Sequence, residues 1–569
     1  LNDRPHYPWK EGDALFASEL NAAIANAGAE SGVENVLGFG ADPTGTMDST
    51  TAFRNALVTG KNVFAPAGTY LITGQLVVGG SAQVFRGGGK NTILLIDTRF
   101  DPTVTTGIIM VTGTSFVEVS DMTIQFVQPP DLVKTATATA AAGTNTITVN
   151  NTTGIVVGMS VIDRTARPDA IPSTTYFTAP VPTTVTNIAG NVLTLSASIT
   201  APGVASGDSL QLASVRSQFK TIAAGGATTA GGPGVKYPWA IYVNANGNAR
   251  VRDIFVRDGW DGIYIRGSGF QLDKIDMGVY DIGLDIDQCY NFPAITDYRF
   301  YMFGGAVAGG PYDALGNVYN DGVTIGANLG ETDGLGAKNI QLWRGHLNLT
   351  TTWTWGQFTN LQLDGDNTNL TILGTNGAGF TQITNCYSTN DVNSGGYPIH
   401  INTVQLVTFV NLELSAALNS NAGLFVEQGS VTVTGGHIWA GMVSGQAMVS
   451  LHNACSLTLR DMRLDTGSGG VNAYVSMFDF TTLHMSDCVF MRNVAGLGDA
   501  TYYGVSGNTN TTVTLDNIFW NGWKVDLPTG KNNWLPSQPS YANDAAAAAG
   551  GVPIGVEYRN GSIRMVRVT

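Results

Sequence analysis

From about residue 240 the chain repeats one small pattern: a short strand of alternating apolar residues, a polar or glycine turn, and a second such strand, renewed about every 20 to 25 residues. The first strands read GIYIRGS, GLDIDQC, GVTIGAN, HLNLTTT, NLTILGT, PIHINTV, GLFVEQG, MVSLHNA and VSMFDFT. Between them lie FQLDKIDM, NIQLWRG, FTNLQLDGD, FTQITNCYS, VTFVNLELS, VTVTGGHIW, LTLRDMRLD and LHMSDCVF. A unit this small cannot bury its own apolar face, so it is stable only when stacked on its neighbours. The pattern therefore predicts an all-β, elongated solenoid. A β-propeller, the competing repeat architecture, needs about 40 residues and four strands per blade and fits the period worse.

Composition narrows the function classes. Hydrophobic residues make up 43% of the 569 and charged residues only 13%, which fills a long core and excludes disorder. A net charge of −14 opposes a surface that tracks phosphates, so nucleic acid is not an expected partner, whereas sugars are open. No run of about 18 apolar residues predicts membrane insertion, and LNDRPHYPWKEGD is not a secretory signal. The chain begins at Leu1 without Met, as a fragment would. Cys289, Cys386, Cys455 and Cys488 show no CxxC spacing and read as buried small hydrophobes. No HExxH or three-histidine zinc spacing occurs, and GGGK at Lys90 lacks the phosphate-loop pattern, so no metal or cofactor is expected.

Five segments follow from the pattern. Residues 1–35 form a neck in which Ser18 and Glu19 open a short helix that ends at Gly28. Residues 36–132 start the solenoid: Asp48 or Ser49 caps a helix with Phe53, Ala56 and Leu57 on one side, and Pro66-Ala67-Gly68 turns into a strand through Tyr70 and Ile72. Residues 133–213 break the rhythm with short Thr/Val strands between Gly and Asn turns, the mark of a small inserted antiparallel β domain. Residues 214–522 carry the main rungs. Residues 523–569, ending AAAAAGGVPIGVEYRNGSIRMVRVT, read as a terminal cap or assembly segment.

The stretch NVLGFGADPTGTMDSTTAFRNAL, followed by NVFAPAGTYLI, resembles the opening of pectate-lyase-superfamily right-handed β-helices, particularly bacteriophage tailspikes that degrade host surface polysaccharide. The terminal segment resembles the end of phage tail fibre or spike proteins. This resemblance implies a right-handed parallel β-helix, a homotrimer, a place on the virion tail, and a particle-binding part preceding Leu1. It transfers no catalytic residue.

In a solenoid strand, alternate side chains point outward and stack with those of neighbouring coils, so a site can be built from residues far apart in sequence. Aligning GIYIRGS, GLDIDQC and GVTIGAN on their first glycines puts Ile263 and Ile265, Leu284 and Ile286, and Val323 and Ile325 inside. Outside it puts a row of Tyr264, Asp285 and Thr324, with Arg266, Asp287 and Gly326 two places along. Trp260 and Asp261 then precede one strand, Asp281 the next, and Asn320 and Asp321 the third. Residues 251–334 hold 13 carboxylates, about twice a uniform share, against five Lys or Arg. Crowded acids raise the pKa of at least one member, as a general acid near neutral pH requires. The flat aromatic rings of the same window suit the apolar side of a pyranose.

The expected catalytic set is Asp261, Asp281 and Asp285, with Glu331 or Asp333 as an acid reaching over the groove. Trp260, Tyr264, Arg266, Tyr280, Asp287, Tyr319, Asp321 and Trp343 are expected to hold substrate. A second group competes: outward His400, Asn402, Phe425, Glu427, Ser450 and His452, with Glu413 and His437 on neighbouring strands. Trp353, Trp355 and Trp439 would extend a groove or pack between subunits. The reading is endo-cleavage of a bacterial capsular or O-antigen polysaccharide by carboxylate acid/base hydrolysis, acting outside the cell. Its alternatives are β-elimination on uronates, with Asp261, Asp285 and Asp287 on a Ca²⁺ and Arg266 as base, a non-catalytic receptor-binding spike, and a structural adhesin.

Overall fold

The computed structural model describes residues 32–569 except 98–105, 113–115, 127–131, 156, 158, 160, 164–184, 200–202, 213–237, 246, 260, 280–281, 292, 302–324, 333, 344, 351–354, 365–367, 375–378, 390–395, 417–419, 441–446, 467–472, 479, 493–502, 508–509, 521–523, 527–541, 550–556, 561–562 and 567–569. The expected N-terminal helix at Ser18 lies outside the described residues.

Each coil runs through three parallel sheets. Ile263–Ser268 belongs to the first and pairs in parallel with Trp239–Ala245 of the coil before and Ile282–Tyr290 of the coil after. Phe270–Val279 then supplies both the second and the third, pairing with Ala249–Gly259 and Ala294–Phe300. Alternation places Ile241, Ile263, Leu284, Ala327, Leu347 and Leu370 in one register line, all buried, so every inward side chain rests on its counterpart in the next coil. This is a parallel β-helix, not the antiparallel blades of a propeller. It fits the right-handed winding that parallel crossovers adopt almost without exception. All four cysteines are free and buried in it.

The second string of each repeat is not one straight strand, as the sequence pattern alone implies. It bends at a single residue in the left-handed conformation: Asp253, Lys274, Asp297, Asn339, Asn360, Asn385, Asn411, Gly435, Asp461, Asp487 and Asn517, with φ between +47° and +72°. Asn and Asp tolerate this region better than other side chains. Here they also bond to each other across coils. Asn339 Nδ2 donates to Asp297 Oδ1 (2.6 Å), Asn360 to Asn339 (2.9 Å), Asn385 to Asn360 (3.0 Å) and Asn411 to Asn385 (3.1 Å).

At the N-terminal end the helix Thr50–Val58 stands where later coils have a first-sheet strand, after Thr44–Asp48 and before Asn62–Ala65. Of the two expected caps, Asp48 Oδ1 accepts the Thr50 N–H at 2.9 Å, while Ser49, at the N-cap position, makes no cap bond and its hydroxyl instead accepts the Asp42 N–H. Phe53 is fully buried, with its ring edge-on to Tyr70 (5.2 Å) and Phe85 (6.0 Å). The GADPTGTMD motif before it is a loop organised by one carboxylate: Asp42 accepts from the backbone N–H groups of Thr44, Thr46 and Met47. The Thr44 hydroxyl, then the Met47 and Thr44 N–H groups and the Thr46 hydroxyl, hold its pKa well below the usual carboxylate range.

Between Val117–Phe126 and Trp239–Ala245 the chain leaves the coil. Among the described residues, six strands from Leu132 to Leu212 make two antiparallel three-stranded sheets with a hydrophobic core of their own, around Ile147, Met159, Val185 and Leu193. Beyond the last coil come a short helix, Asp544–Ala549, and an antiparallel pair, Glu557–Asn560 with Ile563–Val566.

Gly435 is the one glycine in the line of bends from Asp253 to Asn517, and a Cβ there meets nothing within 4 Å. Gly435→Asn places an amide within reach of Asn411 Oδ1 and restricts the unfolded chain, so stability should rise by about 1 kcal/mol. Gly435→Val, β-branched at the same φ, should lose about 1–2 kcal/mol. Chemical denaturation of both variants checks this, and an Asn variant no more stable than the parent contradicts the ladder's energetic role.

Candidate active site

The outer face of the first sheet brings Tyr264, Asp285 and Asn328 into register, with Arg266 beside Asp287. The first of these rows differs from the sequence alignment in its third member, because the glycine that matches Gly262 and Gly283 is Gly326, not Gly322. A Cβ on Gly262 would lie 2.1 Å from the Gly283 carbonyl, and one on Gly283 would lie 2.5 Å from that of Gly326. Coil-to-coil contact demands glycine at this point. Ala327 and Leu329 therefore face the core in place of Val323 and Ile325. Asn328 stands outside in place of Thr324, and Gly326 leaves the Arg266–Asp287 row.

Asp285 is half-buried. Its Oδ1 accepts from Asn328 Nδ2 at 2.7 Å, and Asn328 Oδ1 accepts in turn from Asn348 Nδ2 at 3.0 Å. Burial raises the Asp285 pKa and the neighbouring Asp287 carboxylate adds to the rise, while the Asn328 bond opposes it. Asp287 lies two residues along on the same face, about 6.7 Å away along the strand. The Arg266 Nε donates to Gln288 Oε1 at 3.1 Å. Gln288 is the extra residue of a bulge, skipped between the pairs Arg266–Asp287 and Gly267–Cys289, and such bulges re-aim side chains.

Tyr264 stacks on Tyr242 at 4.6 Å and 17°, and Trp239 leans on it at 5.5 Å. The two tyrosine rings spend faces on each other, so this part of the site offers ring edges and hydroxyls where flat faces for a pyranose are expected. Burial, then the charge of Asp287, pushes the Tyr264 hydroxyl up to about 12, which keeps it a donor.

The other expected residues are placed as follows. Asp261 is buried on the same parity as the core residues Ile263 and Ile265, and its Oδ1 accepts the Ile282 N–H at 3.3 Å. It therefore does not share the outward row of Asp285. The set Asp261, Asp285 and Asp287 does not converge on a cation, and among the described residues no three His, Cys, Asp or Glu side chains do. Glu331 accepts from the Tyr290 hydroxyl at 2.9 Å. It lies beside Thr332, the residue paired with Cys289, further along the sheet than Asp285. Trp343 closes a third-sheet strand, stacked on Tyr301 at 4.8 Å, and so is not on the first-sheet face. Trp260, Tyr280, Asp281, Tyr319, Asp321, Asp333 and Trp353 lie outside the described residues. Trp355 opens a second-sheet segment and Trp439 is next to last in a third-sheet one.

Of the competing histidine group, His400, Asn402, Phe425, Glu427, Ser450 and His452 share the first sheet. Glu413 and His437 lie on the third, with His437 between Glu413 (3.7 Å) and Asp465 (3.1 Å). The sequence reading missed Asn328, Asn348, Tyr242 and Trp239. The alternation G-A-N-L, matched through Gly326, is the signal that finds the first of them.

A carboxyl group whose pKa is raised by the fold contributes its full stability below its ordinary value of 3.8 and loses it as pH rises through the folded value. Asp285→Asn keeps the bond from Asn328 and removes the charge. The variant should therefore unfold at a higher temperature than the parent at pH 7 and at nearly the same temperature below pH 3.8. Thermal unfolding across that range checks it, and an equal difference at both ends would show that burial does not act on the charge.

No family model matches the chain, and no curated protein matches it. Several solved structures overlap it loosely. The tailspike of Pseudomonas phage phi297 is 11% identical over 89% of this chain and 83% of its own, with a TM-score of 0.37. The bacteriophage Phi29 gene product 12 N-terminal fragment is 11% identical over 91% and 76%, with a TM-score of 0.45. The mannuronan C-5 epimerase A-module of Azotobacter vinelandii is 10% identical over 88% and 100%, with a TM-score of 0.34. Superpositions this loose say nothing about activity, and the three-sheet coil rests on its own strand pairing.

Proposed function

We propose that this chain is a phage tailspike that cleaves within a bacterial capsular or O-antigen polysaccharide by acid/base hydrolysis on the outer face of the first sheet. The observation that carries the reading is Asp285, a carboxyl group held protonated to higher pH by burial, two residues from a second carboxylate on the same open face. Asp285 gives its proton to the glycosidic oxygen as the bond to the anomeric carbon breaks. Asp287 takes a proton from the water that attacks that carbon from the other side. One water is consumed for each bond cleaved. The two carboxyl groups project from one face two residues apart, and the gap between them sets whether a water fits between acid and base and so whether the anomeric carbon inverts. Tyr264 and Arg266 orient the sugar through their hydrogen-bond donors.

The resemblance at GFGADPTGTMDSTTAF supports the tailspike half of the proposal, including assembly as a homotrimer, attachment to the virion tail, and action at the bacterial surface. The two antiparallel sheets from Leu132 to Leu212 are then a module inserted in the coil, and the helix and strand pair after Asp544 a terminal assembly segment.

A panel of purified capsular and O-antigen polysaccharides, assayed for release of reducing ends, tests this. Against a polysaccharide that the parent cleaves, Asp285→Asn and Asp287→Asn should each lower kcat by about 10²–10⁴ with little change in KM. Full activity in both variants would refute the assignment. Unsaturated products absorbing in the near ultraviolet would favour elimination, and binding without products a receptor spike.

A further inference from the structure

Further along the same face, the first-sheet register carries the row of Asp285 through Asn328, Asn348 and Thr371 to His400 and Phe425. Five coil steps separate Asp285 from Phe425, about 24 Å at the spacing of paired strands. At that distance the ladder slips. Ile401 pairs with Val426 but Asn402 with Gln428, which leaves Glu427 as an extra residue pushed out of the pairing.

The extruded carboxylate is held firmly at one oxygen. Glu427 Oε2 meets His400 Nε2 at 2.9 Å and accepts from Asn402 Nδ2 at 2.8 Å, whereas Oε1 has no bond among the described residues. Rings flank it over successive coils. Tyr397 and His400 both stack on Phe425 (4.4 and 4.9 Å), Phe425 meets His452 edge-on at 5.1 Å, and His452 stacks on Phe478 at 4.4 Å. The result is an apolar strip beside an oriented acceptor, and among the described residues no Lys or Arg is paired with Glu427. Hydroxyl or ammonium groups donate to such an oxygen, while a uronate carboxylate is repelled by it.

We propose that Glu427, His400, Asn402 and Phe425 form a distal saccharide subsite for a neutral or amino sugar. A single glycan chain then engages it and the Asp285–Asp287 centre together. The inference rests on the hydrolase reading and narrows its substrate: a long chain, not rich in uronates, is preferred over short pieces. Glu427 and Phe425 bind and do no chemistry, so their loss appears in the dependence on chain length.

The test uses the full chain and size-fractionated oligosaccharides made by partial acid hydrolysis of whichever panel polysaccharide the parent cleaves. For the parent, kcat/KM should climb once fragments are long enough to cross five coils. In Glu427→Gln and Phe425→Ala that advantage of long over short fragments should shrink about tenfold, through KM, the size expected for one hydrogen bond to a charged group. Asn402→Ala, which frees the carboxylate without removing it, should act in the same direction more weakly. A parent indifferent to length, or variants that keep the full length advantage, would overturn the subsite. If Asp285→Asn stays active while the length effect follows Glu427, the catalytic assignment falls and the subsite stands. If the parent cleaves nothing, the panel polysaccharides are titrated by calorimetry. Binding weakened by Glu427→Gln supports the subsite alone, and no binding overturns it too.

Discussion

One backbone conformation, a single left-handed residue in each coil, is what the rest of the molecule depends on. A parallel ladder keeps its register only if every coil turns the same corners at the same places. At the corner between the second and third sheets the turn is made within one residue, so no loop can vary there. Asn and Asp supply that residue at little steric cost, and their amides bond coil to coil where the strands themselves cannot. The long insertions fall at the corner between the third sheet and the next first sheet, while the corner between the first and second sheets varies only by a few residues. The two antiparallel sheets of residues 132–212 enter there, and so does the longest remaining stretch between coils, from Phe300 to Ile325. The first sheet thus begins beside the corner that takes the long insertions, a natural place for recognition on a scaffold otherwise repetitive.

Much of this architecture is legible in the sequence because its cause is local. A two-residue alternation renewed once per coil leaves a short unit no way to bury itself but stacking. The register is less legible where a turn is long. GVTIGAN offers Gly322 and Gly326, and only the carbonyl of the neighbouring coil, together with the Tyr298 hydroxyl that bonds to Gly326 at 2.6 Å, decides between them. A shift of this kind exchanges Thr324 for Asn328 beneath Asp285. It also changes what that carboxyl is bonded to, which no local pattern reports. The bends fall at a polar residue that interrupts the alternation in LDKID, TNLQL, TNCYS and VNLEL, but the alternation alone reads as one straight strand, and their meaning lies in φ and in the partner one coil away.

The site shows the same division. Counting acids over residues 251–334 marks a neighbourhood without sorting it. The fold does the sorting: Asp253 and Asp297 are used in bends, Asp276 pairs with Lys90, and Asp261 turns to the Ile282 N–H. Asp285 and Asp287 are left together on an open face. Aromatic content misleads in a similar way, since rings in register stack on one another along the coil axis and turn their edges outward. Tyr242 and Tyr264 do so, and the strip at Phe425 largely does too. Recognition on this surface therefore relies on hydroxyls, amides and carboxylates, with ring edges as an apolar border.

A solenoid also changes how a costly site is tolerated. Its stability is nearly a sum over coils and their interfaces, so a half-buried acid at Asp285 weakens its own few contacts and leaves the helix elsewhere intact. The same additivity sets distances. In a globular enzyme two subsites are related by loops that shift with sequence, whereas here Asp285 and Glu427 are separated by a whole number of strand spacings. Inserting or deleting a coil would move them apart or together by about 4.8 Å. Chain-length preference becomes a property of coil number, independent of the residues at either end.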